Sequence, residues 1–259
     1  MEIVVVSIAA LFASALTLFS GFGLGTLLMP VVAIFFPVEV AIAITAMVHL
    51  ANNVFKVALL GKKANRSVLL RFGIPAVVSA FLGAVLLGWL SDVSSLFEYA
   101  AFGNQIQVSP LKLVVGILIL VFVIFELSPK FSAIALDKKF LPYGGVVSGF
   151  FGGLSGHQGA FRSMFLLKAG LNKAEFVATG VMLAVMVDMS RILIYGWEMS
   201  GQHRGSGIEW PLVIAASVSA FIGAYFGSKL LKKITIRAIQ LAVSALLVVV
   251  SLGLIAGVL

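Results

Sequence analysis

Apolar positions along this chain come in long, nearly unbroken runs, without the short alternating or amphipathic patterns of a soluble domain. A membrane-spanning helix needs about 20 apolar residues, and the runs at 38–60, 68–90, 110–126, 173–196, 210–231 and 235–258 meet or nearly meet that length. Two further stretches, 3–36 and 140–170, are too long for one crossing, and each is interrupted by glycines. The first cluster, Ser20 to Pro30, reads SGFGLGTLLMP and holds Gly21, Gly23 and Gly25. The second, Ser148 to Ser163, reads SGFFGGLSGHQGAFRS and holds Gly149, Gly152, Gly153, Gly156 and Gly159. An interior glycine costs a helix about 1 kcal/mol relative to alanine. Each stretch is therefore expected to break into a hairpin, either two full crossings or two half-helices meeting inside the membrane, and to return to the side it left.

Composition turns this pattern into a class. Of 259 residues, 61% are hydrophobic and only 11% charged, with a mean hydropathy of +1.15, which describes an integral membrane protein. Apolar runs recur to the last residue, so a cleaved leader would not change this. The absence of cysteine removes disulfides, thiol redox chemistry and thiolate metal sites. The excess of 18 Lys+Arg over 10 Asp+Glu is read as the mark of cytoplasmic loops, and no nucleic-acid partner is expected. Loops 61–67, 127–139 and 232–237 carry the basic clusters and are placed in the cytoplasm, for a multi-pass protein of the cell (inner) membrane. Three basic residues, Lys56, Arg162 and Arg191, fall inside or at the edge of apolar segments and need another explanation.

The two halves of the chain overlay. SGF at Ser20 to Phe22 recurs at Ser148 to Phe150, and SAFLGA at Ser79 to Ala84 recurs as SAFIGA at Ser219 to Ala224. Between these anchors, 37–61 overlays 172–196 without a gap, pairing Asn53 with Asp188, Lys56 with Arg191 and Gly61 with Gly196. Each half is then a broken hairpin followed by three crossings, an odd number, so the second half is inverted relative to the first. The expected fold is an all-α polytopic membrane protein of two inverted-topology repeats, 1–126 and 140–259, joined by a cytoplasmic linker at 127–139. Many secondary transporters share this plan and hold substrate near the midplane on interrupted helices.

Within the segment 38–60, His49, Asn52, Asn53 and Lys56 are spaced i, i+3, i+4 and i+7 and share one helix face, which Thr45 extends by a turn. A charge at the bilayer centre costs at least about 2.5–3.5 kcal/mol, so this stripe is expected to face protein or a wet cavity. Snorkelling of Lys56 to the interface and interhelical hydrogen bonding by His49 and Asn52 are the structural alternatives. In the other half, Asp188 and Arg191 lie three residues apart, with Tyr195 a further turn on. They form either a self-neutralising ion pair or a site in which Arg191 attracts an anion while Asp188 orients it or carries a proton; His49 is a second candidate for coupling.

A half-helix that begins at a break presents unpaired N–H groups and a positive dipole, which favour an anion. Near Gly156 to Gly159 those groups are joined by His157, Gln158 and Arg162. Three deep basic residues against one comparably deep acid, Asp188, argue for an anionic ligand over a metal cation. His49, His157 and His203 have no metal-ligand spacing, and neither a metal nor a cofactor is expected. GLSGHQG at Gly153 to Gly159 lacks the glycine two residues after the serine that a nucleophile elbow requires, so no catalytic residue is assigned. No P-loop is present to couple ATP. An anion channel, or an intramembrane enzyme using Ser155 or Ser163 with His157, remains an alternative to a transporter.

SGFGLGTLLMPVVAIFFPVEVAIAIT, SGFFGGLSGHQGAFRSMFLLKAGLNKAEFVAT and the segments around SAFLGA and SAFIGA together resemble the sulfite exporter TauE/SafE family of membrane transporters. The resemblance covers nearly the whole chain, including its duplicated layout. It implies export of sulfite, an organosulfonate or another small anion. In the second hairpin GHQGAFRS stands where the family more usually has glycines and small residues followed by proline. Combining resemblance and residues, the expected substrate-binding set is Arg162, Arg191, His157, Gln158, Lys56, Asn52 and Asn53 with Gly21, Gly23, Gly25, Gly153, Gly156 and Gly159, and Asp188 and His49 as coupling or charge partners. The expected partners are a small anion and the lipid bilayer; a homo-oligomer is compatible with the sequence.

Overall fold

Inside a bilayer, backbone N–H and C=O groups have no water to bond, so apolar runs of this length are driven into helices. The computed structural model describes residues 1–17, 23–101, 103–201, 208–230 and 236–259. Its main helices are α1 Glu2–Thr17, α2 Leu24–Val32, α3 Val38–Leu60, α4 Arg66–Asp92, α5 Pro110–Leu127, α6 Leu141–Ser155, α7 Gly159–Leu166, α8 Lys173–Gly201, α9 Trp210–Leu230 and α10 Ile236–Ile255. Among the described residues α3, α4, α5, α8 and α9 are long and apolar enough to cross a membrane, and the protein is an all-α polytopic membrane protein. Exposed Trp89, Trp197 and Trp210 lie at the ends of α4 and α8 and the start of α9, where amphipathic rings suit a membrane–water interface.

The hairpin segments behave differently. At about 1.5 Å per residue, the nine residues of α2 and the eight of α7 are far too short to cross a hydrocarbon core of about 30 Å. The chain before α6 and the chain after α7 lie side by side: Leu136 N–H donates to Met164 O at 3.0 Å, and Asp137 pairs with Lys168 in an isolated bridge. The α6–α7 unit thus enters and leaves at one place.

The expectation that the whole second glycine cluster interrupts the helix is corrected. Helix α6 runs unbroken through Gly149, Gly152 and Gly153 to Ser155. The reason is packing: Gly145, Gly149 and Gly153, every fourth residue, form one ridge laid against α4. A Cβ at these positions would sit 2.2, 2.2 and 2.1 Å from the carbonyl oxygens of Phe72, Ala76 and Ala80. Gly83 of α4 returns the contact against Phe150 O. Dispersion at this backbone-to-backbone approach offsets the poor helix propensity of glycine. Gly223 and Gly227 of α9 meet Leu11 and Ala15 of α1 in the same manner, so the glycines of SAFLGA and SAFIGA are packing devices. Gly149→Ala is expected to separate α4 from α6 and to cost about 1–3 kcal/mol by overpacking, read as a lowered thermal unfolding midpoint in detergent.

Many contacts between elements recur when α1–α5 are exchanged with α6–α10: α4 packs on α6 as α9 packs on α1, α4 on α8 as α9 on α3, and α2 on α10 as α7 on α5. Helix α3 packs on α8 and α5 on α10, each on its own counterpart. One anchor of the repeat, Ser20 to Phe22, lies outside the described residues, whereas Ser148 to Phe150 sits within α6. The loop after α4 also contains structure the hydropathy pattern does not announce. Strands β1 Phe97–Ala101 and β2 Asn104–Val108 form an antiparallel hairpin, with Phe97 opposite Val108. The Tyr99 hydroxyl donates to Ala256 O at 2.6 Å, which ties this hairpin to the end of α10.

Candidate functional site

The start of α2 meets the second break. Helix α6 ends at Gly156, whose φ of 82° is a left-handed conformation and whose N–H closes the helix on Gly152 O. Helix α7 starts three residues later, at Gly159, with no side chain capping its first turn. Helix α2 likewise starts after Gly23 without a side-chain cap. A Cβ on Gly25 would lie 3.7 Å from Gly156 O and 3.8 Å from the Thr45 methyl, so the start of α2 is in contact with the second break. Gly156 itself serves two needs: a side chain there would be strained at positive φ, and its Cβ would come 2.8 Å from Arg191 Nη1. Gly21 and His203 lie outside the described residues.

Helices α3 and α8 carry the charged groups to this point, because their polar faces are turned toward each other. Asp188 is fully buried and shared by two cationic or cation-capable partners. Its Oδ2 lies 2.5 Å from His49 Nδ1, and its Oδ1 accepts from Arg191 Nε at 3.0 Å and Nη2 at 2.7 Å. Asn53 Nδ2 lies 3.1 Å from His49 Nε2; with Nδ1–H donating to Asp188, that nitrogen is the acceptor for the Asn53 amide. The Tyr195 hydroxyl donates to Gly153 O and also engages the Arg191 guanidinium. Asp188, Arg191, His49 and Asn53 therefore satisfy one another, in keeping with the rule that buried charge is paired. Of the sequence-predicted set, these four come together as a network, while Gly153 serves the contact with α4 and accepts from Tyr195.

Lys56 and Arg162 are placed otherwise. Lys56 is buried on α3, close enough to Arg162 for like-charge repulsion. Arg162 crosses from α7 over α8, 3.7 Å from where Gly180 would carry a Cβ, and donates to Gln158 Oε1 at 3.3 Å. The ion pairs of Asp188 with His49 and Arg191 include neither Lys56 nor Arg162. Around them, Thr45 Oγ1, Asn52 Nδ2, His157 Nε2 and Gln158 Nε2 are buried with no hydrogen-bond partner among the described residues. The other ends of three of these groups are held: Asn52 Oδ1 accepts from Ser14, His157 Nδ1 pairs with Ser155 Oγ, and Gln158 Oε1 faces Arg162. Their spare atoms are oriented by the fold and lack a partner. Among the described residues no group of His, Asp and Glu could hold a metal ion.

A helical membrane protein with buried excess positive charge where two short helices begin is the setting in which family membership becomes informative. Residues 6–254 match the family described as Sulfite exporter TauE/SafE. The chain belongs to the sulfite exporter TauE/SafE family. No curated protein and no solved structure matches the chain. Membership identifies a membrane transporter of sulfite or related anions.

One acid in this TauE/SafE chain escaped the sequence argument. Asp188 stands there as the single deep acid, yet Glu126 Oε2, on the last turn of α5, is also buried and has no hydrogen-bond partner among the described residues. It is the last residue of the apolar run 110–126. The sequence signal was Phe122, four residues earlier on the same face, whose ring stacks on His157 with centroids 5.0 Å apart.

Proposed function

We propose that this protein is a secondary transporter that exports a small anion, such as sulfite or an organosulfonate, through a site where the two broken hairpins meet. The observation that carries this reading is the pair Lys56, buried, and Arg162, half-buried, neither of which makes an ion pair with a carboxylate among the described residues. Keeping two like charges together away from water is unfavourable unless an anion completes the set. Sulfite and sulfonates present three oxygens; a guanidinium binds two of them at once, and the ammonium supplies a point charge for the third. Thr45, Asn52, His157 and Gln158, with the uncapped first turns of α2 and α7, supply neutral donors. Asp188 is assigned to holding Arg191 and His49, so Arg191 shapes the site as a neutralised wall and Gly156 admits it.

The exchange symmetry of the contacts supports two inverted repeats, 1–126 and 140–259, with loops 61–67, 127–139 and 232–237 on the cytoplasmic face. Alternating access then amounts to one repeat rocking against the other around the shared α3–α8 contact. Purified protein in liposomes, assayed with sulfite, sulfoacetate, taurine-like sulfonates and carboxylates, is expected to carry at least one sulfur oxyanion at carrier rates and no inorganic cation. Cation flux without anion flux would overturn the reading, and single-channel currents would replace the carrier with a channel.

A further inference from the structure

We propose that Glu126 is a proton-operated gate on the anion path, passing the anion when its carboxyl is protonated and opposing it when ionised. The inference rests on the anion-transport reading above. Glu126 and Phe122 are one turn apart on α5, so the carboxyl stands one turn from the ring stacked on His157 at the second break. That ring belongs to a collar: Phe122 meets Phe151 and Phe161 edge-on, at centroid distances of 5.6 and 5.4 Å. Phe161 also meets Phe125 and Phe131, and Phe125 stacks on Phe131 at 4.0 Å. These rings form an aromatic collar that runs from His157 at the second break to Phe131 in the 127–139 segment.

Glu126 is half-buried, with Oε2 enclosed and without a hydrogen-bond partner among the described residues. Ionised, it places a negative charge beside the route of an anion; protonated, it removes that charge. The charged groups on the surrounding elements are Arg162 on α7, Lys130 on the short helix Pro129–Ser132, and Arg66, Arg71 and Asp92 near the ends of α4. None of these makes an ion pair with Glu126 among the described residues. Arg237 of α10 has its side chain outside the described residues, and Lys232 and Lys233 lie outside them altogether. Of the other titratable groups of the site, His49, His157 and Asp188 are held by the partners described above, while Lys56 has no ion-pair partner among the described residues. The proton is the only species exchanged: it joins a carboxylate oxygen of Glu126 and leaves from it, and no covalent bond to the anion forms.

The test uses methanesulfonate, whose own charge is constant over the working pH range, with the full-length protein in liposomes. Wild-type flux is expected to fall as pH rises through the titration of Glu126, and an imposed pH gradient is expected to drive accumulation. Glu126→Gln, permanently neutral, is expected to keep tracer exchange, lose the fall in flux at high pH and lose gradient-driven accumulation. Glu126→Asp is expected to retain the pH dependence with a displaced midpoint. A Glu126→Gln protein whose flux still falls with pH as in wild type would overturn the proposal, and the dependence would belong to another group. A Glu126→Gln protein that exchanges nothing, or does not fold, would also overturn it, by assigning the carboxyl to structure. Wild-type protein that carries no anion would instead sink the transport reading on which this one stands.

Discussion

Asp188→Asn is expected to be the most destabilising single change in the charged network. Asp188 and Arg191 are both essentially fully buried, 0% and 1% exposed, and the carboxylate is bonded to two guanidinium nitrogens and to His49. Removing its charge leaves the Arg191 guanidinium in a low-dielectric interior with no countercharge, a loss of about 3–5 kcal/mol in comparable buried pairs. Thermal unfolding in detergent should show this as a large fall in midpoint, accompanied by poor accumulation in the membrane. Asp188→Asn combined with Arg191→Met should recover most of the loss, because a buried pair replaced as a unit leaves no orphan charge. The double variant also divides two roles for the pair. If it is stable and carries anion normally, the pair is architectural; if it is stable but inactive, Arg191 contributes to the passage of the anion. A single Asp188→Asn protein as stable as wild type would show that the network is not what holds α3 to α8.

Arg162→Met and Lys56→Met are expected to produce the opposite pattern, a severe loss of transport with stability kept. Neither cation has an ion-pair partner among the described residues; the two repel each other and Asp188 attracts Arg162 from beyond ion-pair distance, so removing either cation relieves repulsion and breaks no ion pair. A hydrogen bond to a charged group is worth about 1.5–3 kcal/mol, so each variant should raise the KM for the anion by roughly tenfold to a hundredfold. Arg162→Lys should recover only part of the affinity, since an ammonium keeps the charge and loses the two-point fork. Unchanged KM in both Met variants would remove Lys56 and Arg162 from the site. A lowered unfolding midpoint in either would mean that the cation has a structural partner.

How much of this was legible in the sequence differs from residue to residue. Five of the six expected spans appear as helices long enough to cross a membrane and at nearly their expected bounds, 38–60 as Val38–Leu60 and 110–126 as Pro110–Leu127, because a lipid-embedded run has one way to satisfy its backbone. His49, Asn53, Asp188 and Arg191 were legible as polar positions, since helical spacing puts each pair on one face. Their bonds to one another were not, because His49 and Asp188 are 139 residues apart. The glycines misled for a related reason. Propensity treats Gly145, Gly149 and Gly153 as breaks, whereas packing against α4 makes that regular spacing an advantage.

The sequence by itself determined that this is a polytopic helical membrane protein, that two segments are too broken to span as single helices, and that the deep charge is predominantly positive. These follow from quantities that add up locally: hydropathy over a window, helical periodicity, and the cost of glycine. The tertiary structure alone decided which charges cancel and which stay available. Asp188 neutralises Arg191, three residues away on its own helix, and leaves Lys56 and Arg162 without an ion-pair partner among the described residues. It also decided that Gly156, among so many glycines, is the one that ends α6 and lets Arg191 approach the break. Electrostatic pairing depends on distances across the fold, and no local pattern encodes them.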